Sequence, residues 1–318
     1  MAKAIPMTSS NVLKKQKRMR RIRDNVELYS LILPVLIHIF IFCYIPMYGI
    51  LIAFQNYTPG SPILAFDGSV KWVGLKHFVS FVTSPMFPRL FYNTFHLSFL
   101  NLAFGFLCPI LFALLVNELK DNFFKKFLQT TSYMPYFISS VVVAGMVLSF
   151  LNADGILNQF LGLFNVPPKA YNTLPKAFPI FYTVTCIWKS FGWGSILYLS
   201  TISSIDPGLY ESAKIDGANR LQRCWYVTLP HLSNLIIIQL IFSIGGLLGS
   251  NTELILLLYV PATYSTADVI GTYVYRDGLM GGRFSYGTAV GIFTSVINFT
   301  LLYITNKISS KVADYGIW

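Results

Sequence analysis

Residues 28–55 read LYSLILPVLIHIFIFCYIPMYGILIAFQ and contain no Asp, Glu, Lys or Arg. An uncharged run of this length can cross the hydrocarbon core of a bilayer, which takes about 20 residues of helix. A soluble core predicts much shorter apolar runs. The stretch therefore decides the fold class in favour of a membrane-spanning helix, with a kink or tilt expected at Pro34 and Pro46.

The rest of the chain repeats this pattern. Of its 318 residues, 54% are hydrophobic and 12% are charged, too few charges to cover a soluble protein of this size. Long apolar runs are predicted to span the membrane at Leu28–Gln55, Thr94–Val116, Tyr133–Leu151, Phe178–Leu199, Leu235–Tyr259 and Tyr286–Ile304. The sequence therefore predicts an all-α integral membrane protein of about six transmembrane helices.

The basic residues orient these spans. With the N-terminus in the cytoplasm, sixteen of the 24 Lys and Arg residues lie inside, seven lie outside and Lys189 lies within a span. We therefore predict a basic cytoplasmic segment at 1–27, one membrane domain at 28–306 with a cytoplasmic loop at 201–232, and a cytoplasmic tail at 307–318. Because the charge flanks apolar spans beside anionic lipid, nucleic-acid binding is not expected.

No motif supports chemistry within this chain. It has no Gly-x4-Gly-Lys-Ser/Thr phosphate loop, so it is not expected to hydrolyse ATP itself. Its four His and four Cys residues lack the spacing of metal ligands. We predict no catalytic residue, no metal site and no cofactor. We also predict no structural disulfide, because no Cys lies on the outer side.

The most informative motif lies in the predicted cytoplasmic loop. Residues 206–218 read DPGLYESAKIDGA, and residues 227–230 read VTLP. The Asp-Pro start predicts a capped helix. Gly217 predicts a left-handed end to that helix, and Pro230 is expected to limit a second short helix. A compact hinge of this kind suits docking into a groove on another protein.

This loop resembles the Glu-Ala-Ala-x3-Gly-x9-Ile-x-Leu-Pro signature of the bacterial ABC importer permeases that work with a solute-binding protein. Five residues match at the required spacing, namely Glu211, Ala213, Gly217, Leu229 and Pro230. Ser212 replaces the second Ala, and Val227 replaces Ile. The resemblance implies an ATPase-coupling loop formed by Leu209, Tyr210, Glu211, Ser212, Ala213, Asp216, Gly217, Ala218, Leu229 and Pro230. In it, Glu211 would contact the ATPase and Gly217 would permit the bend.

Other segments resemble the oligosaccharide permeases of that family, particularly those for plant or bacterial polysaccharide fragments. These segments are 72–78 (WVGLKHF), 209–218 (LYESAKIDGA), 268–279 (DVIGTYVYRDGL) and 316–318 (GIW). The resemblance implies a type I ABC importer permease in the bacterial plasma membrane. A second permease would complete the path, two copies of a cytoplasmic ATPase would hold ATP and Mg, and an extracellular solute-binding protein, a lipoprotein, would deliver the carbohydrate.

Candidate substrate contacts lie on the fourth and fifth spans, at Trp188, Lys189, Trp193, Asn251 and Glu253. Tyr198 offers a further ring. Aromatic rings stack on pyranose faces, although they serve equally well in helix or lipid packing. A charge within a span is costly, so Lys189 and Glu253 are expected to face the path, to pair with each other or to reach the interface.

Two other functions remain open from the sequence. The chain could be a permease for amino acids, peptides or anions. A membrane-embedded enzyme or a free-standing secondary carrier is an alternative of a different class, and it predicts activity from the purified chain alone.

Overall fold

The computed structural model describes residues 22, 25–65, 68–312 and 316, and these residues form an almost entirely helical chain. Within them the strand-like pairing is limited to one antiparallel bridge, between Gln55 and Trp72. Most of the predicted basic N-terminal segment, and the tail beyond residue 312 apart from Gly316, lie outside the described residues.

Helices follow one another along the described chain. In order they are α1 Val26–Ile39, α2 Lys76–Val82, α3 Phe87–Leu100, α4 Leu107–Asn117, α5 Phe123–Phe137, α6 Ser140–Leu151, α7 Ile156–Gly162, α8 Phe178–Ser203, α9 Pro207–Ile215, α10 Arg220–Arg223, α11 Leu229–Gly245, α12 Thr252–Leu258, α13 Tyr264–Ala267, α14 Ile270–Tyr273 and α15 Phe284–Val312. Several continue through wider π-helical turns, at Phe40–Tyr44, Asn101–Gly105, Cys224–Thr228 and Val274–Met280. Helix α1 then extends as a 3-10 helix through Ile45–Phe54.

The membrane-spanning character predicted from the sequence is confirmed. Among the described residues, five helical stretches are long and apolar enough to cross a membrane, namely Leu28–Phe54, Phe87–Asn117, Ser140–Gly162, Arg220–Gly245 and Phe284–Lys311. Helix α8 is a further candidate by length alone. Its 26 residues extend about 39 Å, and Lys189 near its middle makes it more polar than those five.

One predicted span, Tyr133–Leu151, is not a continuous helix. It breaks between α5 and α6, where Ile138 and Ser139 adopt extended backbone with ψ of 133° and 147°. The Ser139 hydroxyl accepts a hydrogen bond from the Val142 amide at 3.4 Å and so caps α6. Hydropathy did not reveal the break because a serine cap hardly changes the apolar character of the run.

A second predicted span, Leu235–Tyr259, is also interrupted. Helix α11 ends at Gly245, and the glycine-rich stretch 246–250 follows. The chain returns to helix at α12, where the Asn251 side chain accepts a hydrogen bond from the Leu254 amide at 3.1 Å. The break exposes backbone polar groups at membrane depth, which is tolerated where they line a cavity.

Helix α8 lies among α4, α5 and α11 because its small residues allow close approach. A Cβ added at Gly192 would collide with the Ser132 backbone carbonyl of α5. A Cβ at Gly194 would come 3.2 Å from Pro109 of α4. Helix α1 contrasts with this centre, since its most apolar window has no buried residue and leaves its surface to lipid or a partner.

Candidate coupling loop and translocation cavity

Helix α9 presents the predicted loop motif on a short helix that is capped at both ends. Asp206 Oδ1 accepts a hydrogen bond at 2.9 Å from the amide two residues on. At the other end the Ala218 amide donates to the Ala213 carbonyl at 2.9 Å, and the Gly217 amide to the Lys214 carbonyl at 3.1 Å. This pairing is a Schellman motif, and Gly217 has the left-handed φ of +77° that it requires.

The second half of the loop forms the entry to a membrane helix. Asn219 and Gln222 exchange side-chain-to-amide hydrogen bonds of 2.9 and 2.8 Å in a capping box that starts α10. The chain then continues through Cys224–Thr228 into α11 without a break. The prediction that Pro230 limits a second helix is therefore wrong. Pro230 lies just after the π turn at Cys224–Thr228, inside this continuous helical path.

A polar contact joins the two halves of the loop. The hydroxyl of Tyr210 on α9 lies 3.0 Å from Oγ1 of Thr228, which is buried immediately before α11. A weaker ion pair of 3.9 Å joins Arg220 to Glu118 just beyond α4. Helix α9 is therefore tied to the base of α11 rather than suspended freely.

The loop also presents an exposed surface. Glu211, Ser212 and Asp216 are exposed, while Ala213 and Ala218 are half-buried. Large apolar side chains that sequence reasoning did not single out extend this surface, and they are Ile215, Leu221, Trp225 and Tyr226, with Ile215 86% exposed. The signal available in the sequence was the pair of adjacent aromatic residues, Trp225 and Tyr226, in a loop predicted to lie in the cytoplasm. Such a patch marks a protein or membrane contact.

A cavity of about 850 Å³ opens between the membrane helices. It is formed by the end of α3 and its π turn, by α4, α5, α8 and α11, and by the glycine-rich stretch before α12. Its polar lining includes Ser98, Asn101, Lys189, Gln239 and Asn251. Its size falls within the range of about 300–1,000 Å³ that is typical of small-molecule sites.

The predicted path residues divide into two groups. Lys189 and Asn251 line the cavity, as does Tyr198. Trp188, Trp193 and Glu253 do not belong to its described lining.

Trp193 lies one layer behind the cavity surface. Its ring stacks on that of Tyr136, with centroids 4.7 Å apart and an interplanar angle of 6°, and Tyr136 lines the cavity. Trp193 therefore orients a cavity ring rather than facing the space itself.

The side chain of Lys189 is held by α6. Its Nζ donates a hydrogen bond to Oγ of Ser140 at 3.0 Å. Among the described residues it forms no ion pair with Glu253, so of the alternatives for these two charges the interhelical pair is not observed. Glu253 is exposed in the first turn of α12, where a carboxylate interacts favourably with the positive end of the helix.

Sequence reasoning missed several polar cavity residues. Ser98, Asn101 and Gln239 each interrupt an otherwise apolar run, which was the available signal. The Ser98 hydroxyl is buried and has no hydrogen-bond partner among the described residues. Leaving a buried hydroxyl unpaired is costly, so this position stands out among the residues around the cavity.

A buried ion cluster lies between α13 and α15, on the side predicted to face outward. Asp268 is fully buried and accepts two hydrogen bonds from Arg276, at 2.8 and 3.1 Å. Thr272 donates to the same carboxylate at 2.8 Å, and Arg89 of α3 lies 3.6 Å away. Hydrogen bonding to Asp268 raises the pKa of Arg276 above its ordinary value.

The chain matches a known family over more than half its length. The model for "Binding-protein-dependent transport system inner membrane component" matches residues 105–314, a range that contains α8, the loop and α11. The chain belongs to this family. It is therefore a transport subunit of the inner membrane and not an enzyme, as the loop motif implied.

Relatives are similar to this permease over almost its whole length. It is 40% identical over 317 residues to the Polygalacturonan/rhamnogalacturonan transport system permease protein YteP of Bacillus subtilis (strain 168), covering 98% of each chain. A crystal structure of a bacterial ABC transporter involved in the import of the acidic polysaccharide alginate contains a chain that is 40% identical. That chain has a TM-score of 0.84, with 93% of this chain and 99% of that one covered.

A second crystal structure is of the bacterial alginate ABC transporter in complex with alginate pentasaccharide-bound periplasmic protein. The matching chain in that structure is 40% identical to this one and has a TM-score of 0.83. The match covers 94% of this chain and 99% of the other. The predicted type I ABC importer permease fold is thereby confirmed.

Proposed function

We propose that this permease pairs with a second permease to form the path by which a bacterial ABC importer takes up a carbohydrate of several sugar units. The observation that carries the proposal is the run of capped α9, the Tyr210–Thr228 contact and α11, which leads from an exposed docking surface to the cavity. The names of its relatives support a carbohydrate as the substrate.

In this proposal the loop at 201–232 faces the cytoplasm, as do both termini. Two copies of an ATPase, which carry ATP and Mg²⁺, dock on the loops of the two permeases. Glu211 and the neighbouring apolar side chains Ile215 and Tyr226 form the contact, because their exposure leaves them free for a partner. A binding protein delivers the sugar from outside.

The geometry supplies a mechanism for coupling. Closure of the ATPases on ATP pushes α9, whose Schellman end at Gly217 sets its angle to α10. The Tyr210 hydroxyl transmits that push to Thr228 and so to the base of α11. Gln239, about 16 Å further along α11, lines the cavity, so tilting the helix changes the cavity directly.

The cavity suits a carbohydrate. Hydroxyl and amide side chains supply donors and acceptors, and the exposed ring of Tyr136, which stacks on Trp193, adds an aromatic surface beside them. The glycine-rich stretch 246–250 brings backbone groups to the same surface. Substrate would meet polar groups from four separate helices and could move when one of them tilts.

Reconstitution tests this function. The permease, its partner permease, the ATPases and the binding protein are placed in lipid vesicles, and uptake of labelled oligosaccharide is measured with and without ATP. We expect uptake only when all four components and ATP are present together. Uptake by the purified chain without an ATPase would show a secondary carrier instead. Uptake of amino acids or peptides in place of sugar would overturn the carbohydrate assignment.

A further inference from the structure

In the part of the chain that the structure describes, the cavity lining contains many polar side chains but a single charged one. Among the described residues that form it, Lys189 carries the only charge, and no carboxylate is present. Glu253, the acidic residue closest in sequence to the lining, is exposed and does not face the space. The cavity therefore has a net positive charge.

The surroundings of Lys189 leave its charge uncompensated. Its one described hydrogen bond is to Ser140, the first residue of α6, so the ammonium lies at the positive end of that twelve-residue helix. An ammonium has three donors, and this contact uses one of them. A cation near the middle of a span is costly unless it meets water or an anion.

A second group in the cavity also awaits a partner. Ser98 is 8% exposed, and its hydroxyl has no hydrogen-bond partner among the described residues. Ser98 and Lys189 belong to α3 and α8 and line the same space. The cavity lining thus includes a lysine with unused donors and a serine whose buried hydroxyl has no described partner.

We infer that the carbohydrate carried by this permease is anionic, and that Lys189 is the counter-ion for its carboxylate groups inside the cavity. The inference rests on the proposed function and names its substrate class. A neutral sugar is satisfied by hydroxyl, amide and ring contacts alone. In that case Lys189 would add the cost of a charge and no recognition. A uronate sugar supplies the missing negative charge.

Equilibrium binding tests this directly. The assembled importer, without nucleotide and without its binding protein, is placed in lipid nanodiscs. It is titrated with a uronate trisaccharide and with the same trisaccharide after methyl esterification of its carboxylates. The variants are Lys189→Met and Lys189→Arg, and the control is Lys176→Met, which removes an exposed lysine charge just before the same helix. Assembly is checked by the recovery of all subunits.

We expect the parent to bind the uronate at least about tenfold more tightly than the ester, a difference of about 1.4 kcal/mol. Lys189→Met should lose this preference while its affinity for the ester is unchanged. Lys189→Arg and Lys176→Met should keep it. A merely structural role for Lys189 would weaken both probes together.

Three results would overturn the inference, namely equal binding of both probes by the parent, a retained preference in Lys189→Met, or no binding of either probe. The parent comparison decides even if the Met variant fails to assemble. Uptake by the complete importer with its binding protein separates the two proposals. If neutral oligosaccharide is taken up, only the anionic assignment fails; if no carbohydrate is taken up, the proposed function fails as well.

Discussion

The hydroxyl of Tyr210 lies 3.0 Å from Oγ1 of Thr228, and this contact joins the exposed helix of the loop to the base of a helix that lines the cavity. Thr228 is buried, so the contact sits where a small displacement reaches packed structure. The two residues are eighteen positions apart in sequence, on opposite sides of the turn at Gly217. Because of this contact, we expect a displacement of α9 to be transmitted to the base of α11.

Replacing Tyr210 by Phe should weaken coupling without abolishing docking. The change removes one neutral hydrogen bond, worth about 1 kcal/mol, and keeps the ring. We expect the ATPase to be recovered with the complex as in the parent, while sugar molecules transported per ATP fall. Tyr303→Phe is the control, because it removes the hydroxyl of an exposed tyrosine on α15, away from the loop. Parental coupling in Tyr210→Phe would mean that the contact does not transmit motion.

Replacing Gly217 by Val should disturb the loop through its backbone. A β-branched residue at φ of +77° costs about 1–3 kcal/mol, although an added Cβ would meet no atom within 4 Å. Gly162→Val is the matched control, since its Cβ would also meet nothing and its φ is not positive. We expect substrate-stimulated ATP hydrolysis in vesicles to fall in the first variant, with all spans still inserted. Equal activity in the two variants would contradict a role for the left-handed end.

Reversing the charge of Glu211 should act on the docking surface. Its carboxylate is exposed on α9, so Glu211→Arg leaves the fold intact and presents the wrong charge to the ATPase. We expect recovery of the ATPase in a pull-down to fall at least about tenfold at low salt. Asp154→Arg reverses another exposed carboxylate, on the side predicted to face outward, and should bind the ATPase like the parent. Normal ATPase binding by Glu211→Arg would place the contact elsewhere.

The spans and the loop motif were predictable because their signals are local. Bilayer thickness dictates the length of an apolar run. A capped helix start and a left-handed glycine can be recognised from the residues of one or two turns, as at Asp206 and Gly217. The break at Ser139 escaped notice because two serines, at 139 and 140, do not interrupt the apolar character of the run.

The cavity was harder to predict because it depends on how helices pair and rotate. Lys189 and Asn251 were chosen for their polarity within spans, and both line the cavity. Trp193 was chosen because its ring could stack on a sugar, yet it packs behind Tyr136. Ser140, which holds Lys189, is forty-nine residues away in sequence, and nothing local indicates that contact. Only tertiary packing decides which face of a helix meets the cavity.

Cysteine labelling tests the orientation that charge counting predicts. Single-cysteine variants retain Cys224 or introduce Lys169→Cys, with the other native cysteines replaced. An impermeant maleimide added to intact cells should label position 169, which is exposed, and should leave Cys224 unlabelled. Permeabilised cells provide the control, in which both positions should react. Labelling of Cys224 in intact cells would invert the topology and remove the loop from the cytoplasm.

Two acid–arginine pairs near the predicted outer face should differ sharply in their contribution to stability. Asp268 is fully buried against Arg276, so Asp268→Asn leaves a partly buried guanidinium without its charge partner and should destabilise the permease by about 3–5 kcal/mol. Asp277 and Arg283 are closer together, at 2.6 Å, but their side chains are 36% and 52% exposed. Asp277→Asn should therefore cost only about 0–1 kcal/mol. Thermal unfolding of the detergent-solubilised complex measures both changes. Equal shifts in Tm would show that burial does not determine the contribution of these pairs.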